Sequence, residues 1–179
     1  TTNKLVAVKF VPTDNLKPSC QKLLVSEIRL LCSLQHPNII HCIDYLVSEK
    51  CIYIVLEYCS KGDLSKYLDT HIMSEKEVQQ LFFQLIDAVQ YLREKKIMHR
   101  DIKPSNILLA NDNSLRLSDF GLAKQYQTPS SLSSTICGSP LYMAPELLYN
   151  EKYTTTCDVW SLGIVLYEML FQRVPYQAD

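Results

Sequence analysis

Residues 99–106 read His-Arg-Asp-Ile-Lys-Pro-Ser-Asn, and thirteen residues after Asn106 the chain reads Asp119-Phe120-Gly121. No other feature constrains the fold as strongly. Between the two segments lie two short apolar runs, Ile107–Leu109 and Leu115–Leu117, joined by Asn-Asp-Asn-Ser. That pattern predicts a hairpin. The segments supply two carboxylates, a carboxamide, an Arg and a Lys, all near the ends of apolar runs. Phosphoryl transfer asks for that inventory: a group to orient a hydroxyl, hard oxygen ligands for Mg²⁺, and a cation near the developing charge. By itself Asp119-Phe120-Gly121 reads as a tight turn between strand and loop. Its distance from Asn106, with a hairpin between, argues against that reading.

A chain of 179 residues holds one domain, or one and a part. The formal net charge is −1, so no basic field points to nucleic acid or a membrane surface. The longest apolar stretch, residues 159–171, is interrupted by Ser161, Gly163 and Glu168 and falls short of a membrane span. The opening Thr-Thr-Asn-Lys is no signal peptide, and a cytoplasmic location is expected. Cysteines at 20, 32, 42, 51, 59, 137 and 157 show no CxxC pair and no metal-ligand spacing. Their odd number predicts free thiols in a reducing compartment, most of them small buried hydrophobes. Cys59 and Cys137 fall in predicted loops and draw attention for that reason.

Residues 5–11 read as a strand that Pro12 ends, and 16–34 as a helix stopped by His36-Pro37-Asn38. Cys42–Val47 and Cys51–Glu57 form an antiparallel hairpin around Ser48-Glu49-Lys50. Residues 58–62 form a linker and 63–68 a short helix. Ser74 and Glu77 make a capping box for a long helix reaching about Lys95. Residues 122–140, rich in Ser, Thr, Gln and Pro, read as a loop. Residues 154–171 form a helix apolar almost all round, hence buried on several sides. Strands come first and helices later, an α+β order that fits two lobes with a hinge near 57–62.

The His99–Asn106 and Asp119–Gly121 motifs resemble those of the eukaryotic protein kinases, and Val6-Ala7-Val8-Lys9 resembles the family's lysine strand. The resemblance implies a two-lobe fold, ATP and Mg²⁺ as cofactors, and protein Ser/Thr hydroxyls as substrates. It implies that Lys9 contacts phosphates and pairs with Glu27, although a strand Lys beside a helix Glu is by itself an ordinary surface pair. Ala7, Leu56, the Glu57–Cys59 hinge, Asp63 and Leu108 would surround the nucleotide. Asp63 is equally a helix N-cap, and the two readings are compatible. Asp101 would accept or orient the hydroxyl proton, Lys103 would sit near the transferring phosphate, and Asn106 and Asp119 would hold magnesium. A Lys at 103 resembles the serine/threonine branch. Leu122 resembles kinases that prefer serine.

His99 and Phe120 would stack with Leu31 and Cys42 into a packed column, in which the small Cys42 predicts a packing defect. Asp158, in Asp-Val-Trp-Ser-Leu-Gly, would accept hydrogen bonds from the backbone near His99 and Arg100. Residues 137–146 resemble the end of an activation segment running to Glu146, with Ser139 able to bond Asp101 and Lys103. Thr135, with Ser133 and Ser134 as competitors, is the expected site for an upstream kinase. Arg100 would receive its phosphate.

Residues 56–64, 91–95, 137–146 and 173–178 further resemble the autophagy-initiating (Unc-51-like) kinases. The resemblance spans residues 1–179, divided as N-lobe 1–57, hinge 58–62 and C-lobe 63–179. No glycine precedes Lys9, the first being Gly62, and the family's later helices have no counterpart. A kinase core fragment is therefore expected, with residues 5–11 as an exposed sheet edge. Two functional classes stand open: an active serine/threonine kinase, possessing substrates and regulatory subunits, or a truncated or pseudokinase-like interaction module.

Overall fold

The computed structural model describes residues 4–13, 18–112, 114–126 and 137–176, without side chains for 18–23. It is an α+β arrangement. The first strand, β1 (Val6–Pro12), pairs antiparallel with β3 (Cys51–Glu57), whose other edge pairs antiparallel with β2 (Cys42–Val47), giving the order β1-β3-β2. Pro12 is the last residue of β1 and stands opposite Cys51 in its ladder. A proline can sit there because among the described residues β1 pairs on one side only. Alternation sends Val6, Val8 and Phe10 to one face, where Phe10 meets Tyr53 edge-on at 5.4 Å, and Ala7, Lys9 and Val11 to the other.

Helix α1 (Pro18–Ser33) lies on that second face and packs against β2. The chain then crosses below: Ile40 N donates to Leu117 O (2.9 Å) and Leu117 N donates to Asn38 O (2.8 Å). Helix α2 (Leu64–Thr70) starts at Asp63 and α3 (Glu75–Glu94) at Ser74, where the reciprocal Ser74–Glu77 box is complete. Buried Val78, Leu81, Leu85, Ala88 and Leu92 recur every three or four residues on α3 and face α5 (Thr156–Phe171). Removing a side chain such as Leu85, fully buried, costs about 2–5 kcal/mol.

Two-residue strands β4 (Ile97–Met98) and β7 (Lys124–Gln125) pair with each other, as do β5 (Ile107–Leu109) and β6 (Leu115–Leu117). The short helix α4 (Pro145–Leu148) precedes α5. On α5 the expected all-round burial is incomplete among the described residues: Val159, Leu170 and Phe171 are exposed. No described helix is long and apolar enough to cross a membrane.

The expectation of free thiols is overturned at one place, since Cys32 and Cys42 form a disulfide with Cα atoms 4.8 Å apart. The last turn of α1 stands against the first residue of β2, a proximity that ten residues of linear spacing do not announce. Cys42, expected as a small free thiol, is buried and bonded to Cys32. Cys51, Cys59, Cys137 and Cys157 are free.

Candidate active site

The loop after β4 is shaped from beneath. Asp158, buried on α5, accepts from His99 N at Oδ2 (2.9 Å) and from Arg100 N at Oδ1 (2.8 Å). Burial pushes its carboxyl above the usual range, opposed by the His99 charge interaction and by these two N–H bonds. Arg100 takes a left-handed conformation (φ 68°) and its guanidinium donates to Leu122 O (2.7 Å) and Tyr153 Oη (3.1 Å). Full burial holds His99 below its ordinary range, so the imidazole is neutral. Its Nε2 lies 3.0 Å from Ser118 O and its Nδ1 accepts from Asp101 N (3.3 Å), which fits the Nε2–H tautomer.

Asp101 carries a converging set of bonds. Its Oδ2 takes Lys103 Nζ (2.9 Å) and Asn106 Nδ2 (2.8 Å), and its Oδ1 takes Ser139 Oγ (3.0 Å). Lys103 Nζ also donates to Ser139 Oγ (2.6 Å). Four side chains from the loop and from the later segment thus form one network. Gly138 lets that segment approach: it sits at φ 107°, and a Cβ there would lie 2.6 Å from Arg100 O. The role of Gly138 escapes sequence reasoning because only tertiary contact defines it. Arg100's partners Leu122 and Tyr153 are likewise invisible in the linear pattern.

The hairpin β5–β6 returns the chain to the loop. Ser118 donates to Asn106 O through both N (2.8 Å) and Oγ (2.9 Å), which brings Asp119 beside Asn106. Asp119 is left-handed (φ 59°). Its Oδ1 accepts from Lys9 Nζ at 2.6 Å. Burial raises its pKa, but the Lys9 bond and charge outweigh burial and hold the carboxyl below the usual range. Among the described residues no ion pair joins Lys9 to Glu27, the pair that the resemblance implies. Glu27 on α1 faces the same cavity as Lys9, its carboxyl raised by burial against the pull of Arg100, while Lys9 bonds Asp119. Lys9, Glu27, Leu31, Leu56, Asp119 and Phe120 still line one cavity of about 70 Å³. Phe120 meets His99 edge-on at 4.8 Å and shares a core with Leu31 and Cys42.

Around this centre, Ala7 pairs with Leu56 across β1–β3. Glu57 turns its carboxylate to Arg116 (3.2 Å) and to His41 N (2.8 Å). Cys59 is buried and its thiol is pushed up to about 11, chiefly by burial. Asp63 bridges to Leu108 and caps α2, accepting from Lys66 N (3.0 Å). Burial acts to raise its carboxyl, yet the bonds and charge of Lys66 keep it low. Glu146, in the first turn of α4, lines a separate groove with Trp160 and Tyr176. Thr135, Ser133 and Ser134 lie outside the described residues.

A strand lysine on a hairpin-borne aspartate stands beside a loop whose second aspartate gathers Lys, Asn and Ser. The family profile described as "Protein kinase domain" matches residues 1–179, and the chain belongs to that family. It is 43% identical over 178 residues to serine/threonine-protein kinase ATG1c of Arabidopsis thaliana, covering 97% of this chain and 24% of that protein. Over 187 residues it is 44% identical to serine/threonine-protein kinase atg1 of Dictyostelium discoideum, covering 99% and 28%. Against Arabidopsis ATG1b the figures are 42% over 179 residues, 98% and 25%. The chain therefore spans about a quarter of the length of these relatives.

Proposed function

We propose that this chain is the catalytic core of a serine/threonine protein kinase that moves the γ-phosphoryl group of ATP to protein hydroxyls and serves autophagy initiation. One observation carries the reading: Lys103, Asn106 and Ser139 fix the orientation of the Asp101 carboxylate, as a group that orients a substrate hydroxyl requires. Lys103 supplies positive charge beside that point. An ordinary carboxylate suffices as base, since a loose transition state needs positioning more than basicity.

Asn106 and Asp119 fit Mg²⁺. The Asn106 amide nitrogen is spent on Asp101, which turns its carbonyl oxygen elsewhere, and Asp119 adds a depressed, ionised carboxylate. Two hard oxygens suit a cation that takes its remaining ligands from phosphates and water. The metal, when bound, neutralises phosphate charge. Lys9 would hold phosphate oxygens, and Glu27 would draw Lys9 from Asp119. Leu56, Ala7 and Leu108 offer apolar surface to a base, with the Glu57–Cys59 backbone as hydrogen-bonding edge and Asp63 near a ribose. Ser/Thr acceptors accord with the names of the relatives, and an upstream kinase acting on Thr135 and the autophagy role rest on the resemblance of the segments quoted above.

The test is phosphate transfer from labelled ATP to a generic basic protein by the full-length protein, beside an Asp119→Ala control. Transfer well above the control supports the reading. Equal counts in both would leave the interaction module as the better account.

A further inference from the structure

We propose that Cys32 and Cys42 form a reversible thiol–disulfide site that latches helix α1 and thereby sets the rate of phosphate transfer. The inference rests on the function proposed above. The bond joins the last turn of α1 to the first residue of β2, with Cα atoms 4.8 Å apart. Both ends of the closed loop touch the site. On the helix side, Leu31 is the neighbour of Cys32 and packs in one core with Phe120, and Glu27 lies little more than one turn earlier. Inside the loop, Asn38 and Ile40 hydrogen-bond Leu117, two residues before Asp119. Asn38 Nδ2 further donates to Leu115 O (3.2 Å) and Gln84 Oε1 (2.9 Å). One covalent bond thus ties α1 to the segment that hydrogen-bonds β6, whose end lies two residues before Asp119.

In this bonded state Lys9 is held by Asp119, and no ion pair joins it to Glu27 among the described residues. Reduction removes this tie and leaves the end of α1 free to shift against β2. Close packing passes such a shift along the helix to Leu31 and Glu27. The disulfide form is the slow state and the dithiol form the fast one.

The oxidant is a small-molecule disulfide of the glutathione class. Cys32 is half-buried and Cys42 fully buried, so the Cys32 thiolate reacts first. It attacks one sulfur of the oxidant, forming a mixed disulfide and expelling one small thiolate. The Cys42 thiolate then attacks Cys32 Sγ, forming the internal bond and expelling the second. Two protons leave the cysteines, and two electrons reduce the oxidant to two thiols. Excess thiol runs the sequence backwards. Cys59 is no competitor, since burial pushes its thiol up to about 11 and keeps it protonated.

The experiment uses the full-length protein with oxidised or reduced glutathione, differential alkylation with peptide mass mapping, and transfer rates. Linked Cys32–Cys42 peptides are expected under oxidant, with a rate about tenfold lower that excess thiol restores. Cys32→Ser and Cys42→Ser should each keep the reduced rate under oxidant, while Cys51→Ser should respond as the natural chain does. Residues 32 and 42 staying alkylated under oxidant, or the two states agreeing within about twofold, overturns the latch. If neither state transfers phosphate, the kinase reading falls by itself. The latch is then decided by amide exchange over residues 24–33, expected about tenfold slower in the disulfide form and refuted by equal exchange.

Discussion

Gly138 approaches the Arg100 carbonyl so closely that a Cβ at 138 would lie 2.6 Å from the oxygen. This contact sets Ser139 over the loop, within 3.0 Å of Asp101 Oδ1. Gly138→Ala must therefore shift the segment or strain it, the more so at φ 107°. A displacement near 1 Å costs about a hundredfold in rate. Steady-state kinetics should show kcat falling by about that factor with the melting temperature little changed.

Ser139 relays between Lys103 and Asp101 through its hydroxyl. Ser139→Ala removes both bonds, whereas Ser139→Thr retains the oxygen. The expected order of kcat is natural chain, then Thr, then Ala, with Ala lower by about tenfold to a hundredfold. An alanine variant as fast as the natural chain would remove Ser139 from the account.

Asp158 holds two backbone N–H groups inside the protein. Asp158→Ala leaves both without partners at about 1–3 kcal/mol each. Denaturant unfolding should register a loss of about 2–6 kcal/mol. A loss under about 0.5 kcal/mol would show that the loop does not depend on this carboxylate.

His99 gives the pH dependence a sign. Burial lowers its pKa in the folded chain, while the unfolded chain titrates near 6.5. Below about pH 6.5 the unfolded state binds a proton that the folded state refuses, so stability falls as pH falls. The contribution is fully present above that pH and is lost with a slope of up to about 1.4 kcal/mol per unit. Between pH 7 and 5 the unfolding free energy of the natural chain should fall more, relative to its value at pH 7, than that of His99→Gln. Parallel curves would mean that His99 is protonated in place.

What the sequence discloses depends on the range of the interaction. The Ser74–Glu77 box and the Ile107–Leu109 and Leu115–Leu117 hairpin are local, and the structure has both. The strands Ile97–Met98 and Lys124–Gln125 are too short for any period to show, and exist because each pairs with the other. The Asp158 bonds were legible only through resemblance, since no pattern links residue 158 to 99. The choice of Asp119 over Glu27 by Lys9 and the Cys32–Cys42 bond depend on how α1 sits on the sheet, which composition and spacing do not encode.

The central claim is that Asp101 orients the accepting hydroxyl. Asp101→Asn preserves shape and one acceptor oxygen but removes the charge that Lys103 and Ser139 address. Transfer of labelled phosphate by the full-length variant should fall in kcat by about a thousandfold, with the KM for ATP changed by less than about threefold. A variant that keeps the natural kcat would contradict the account.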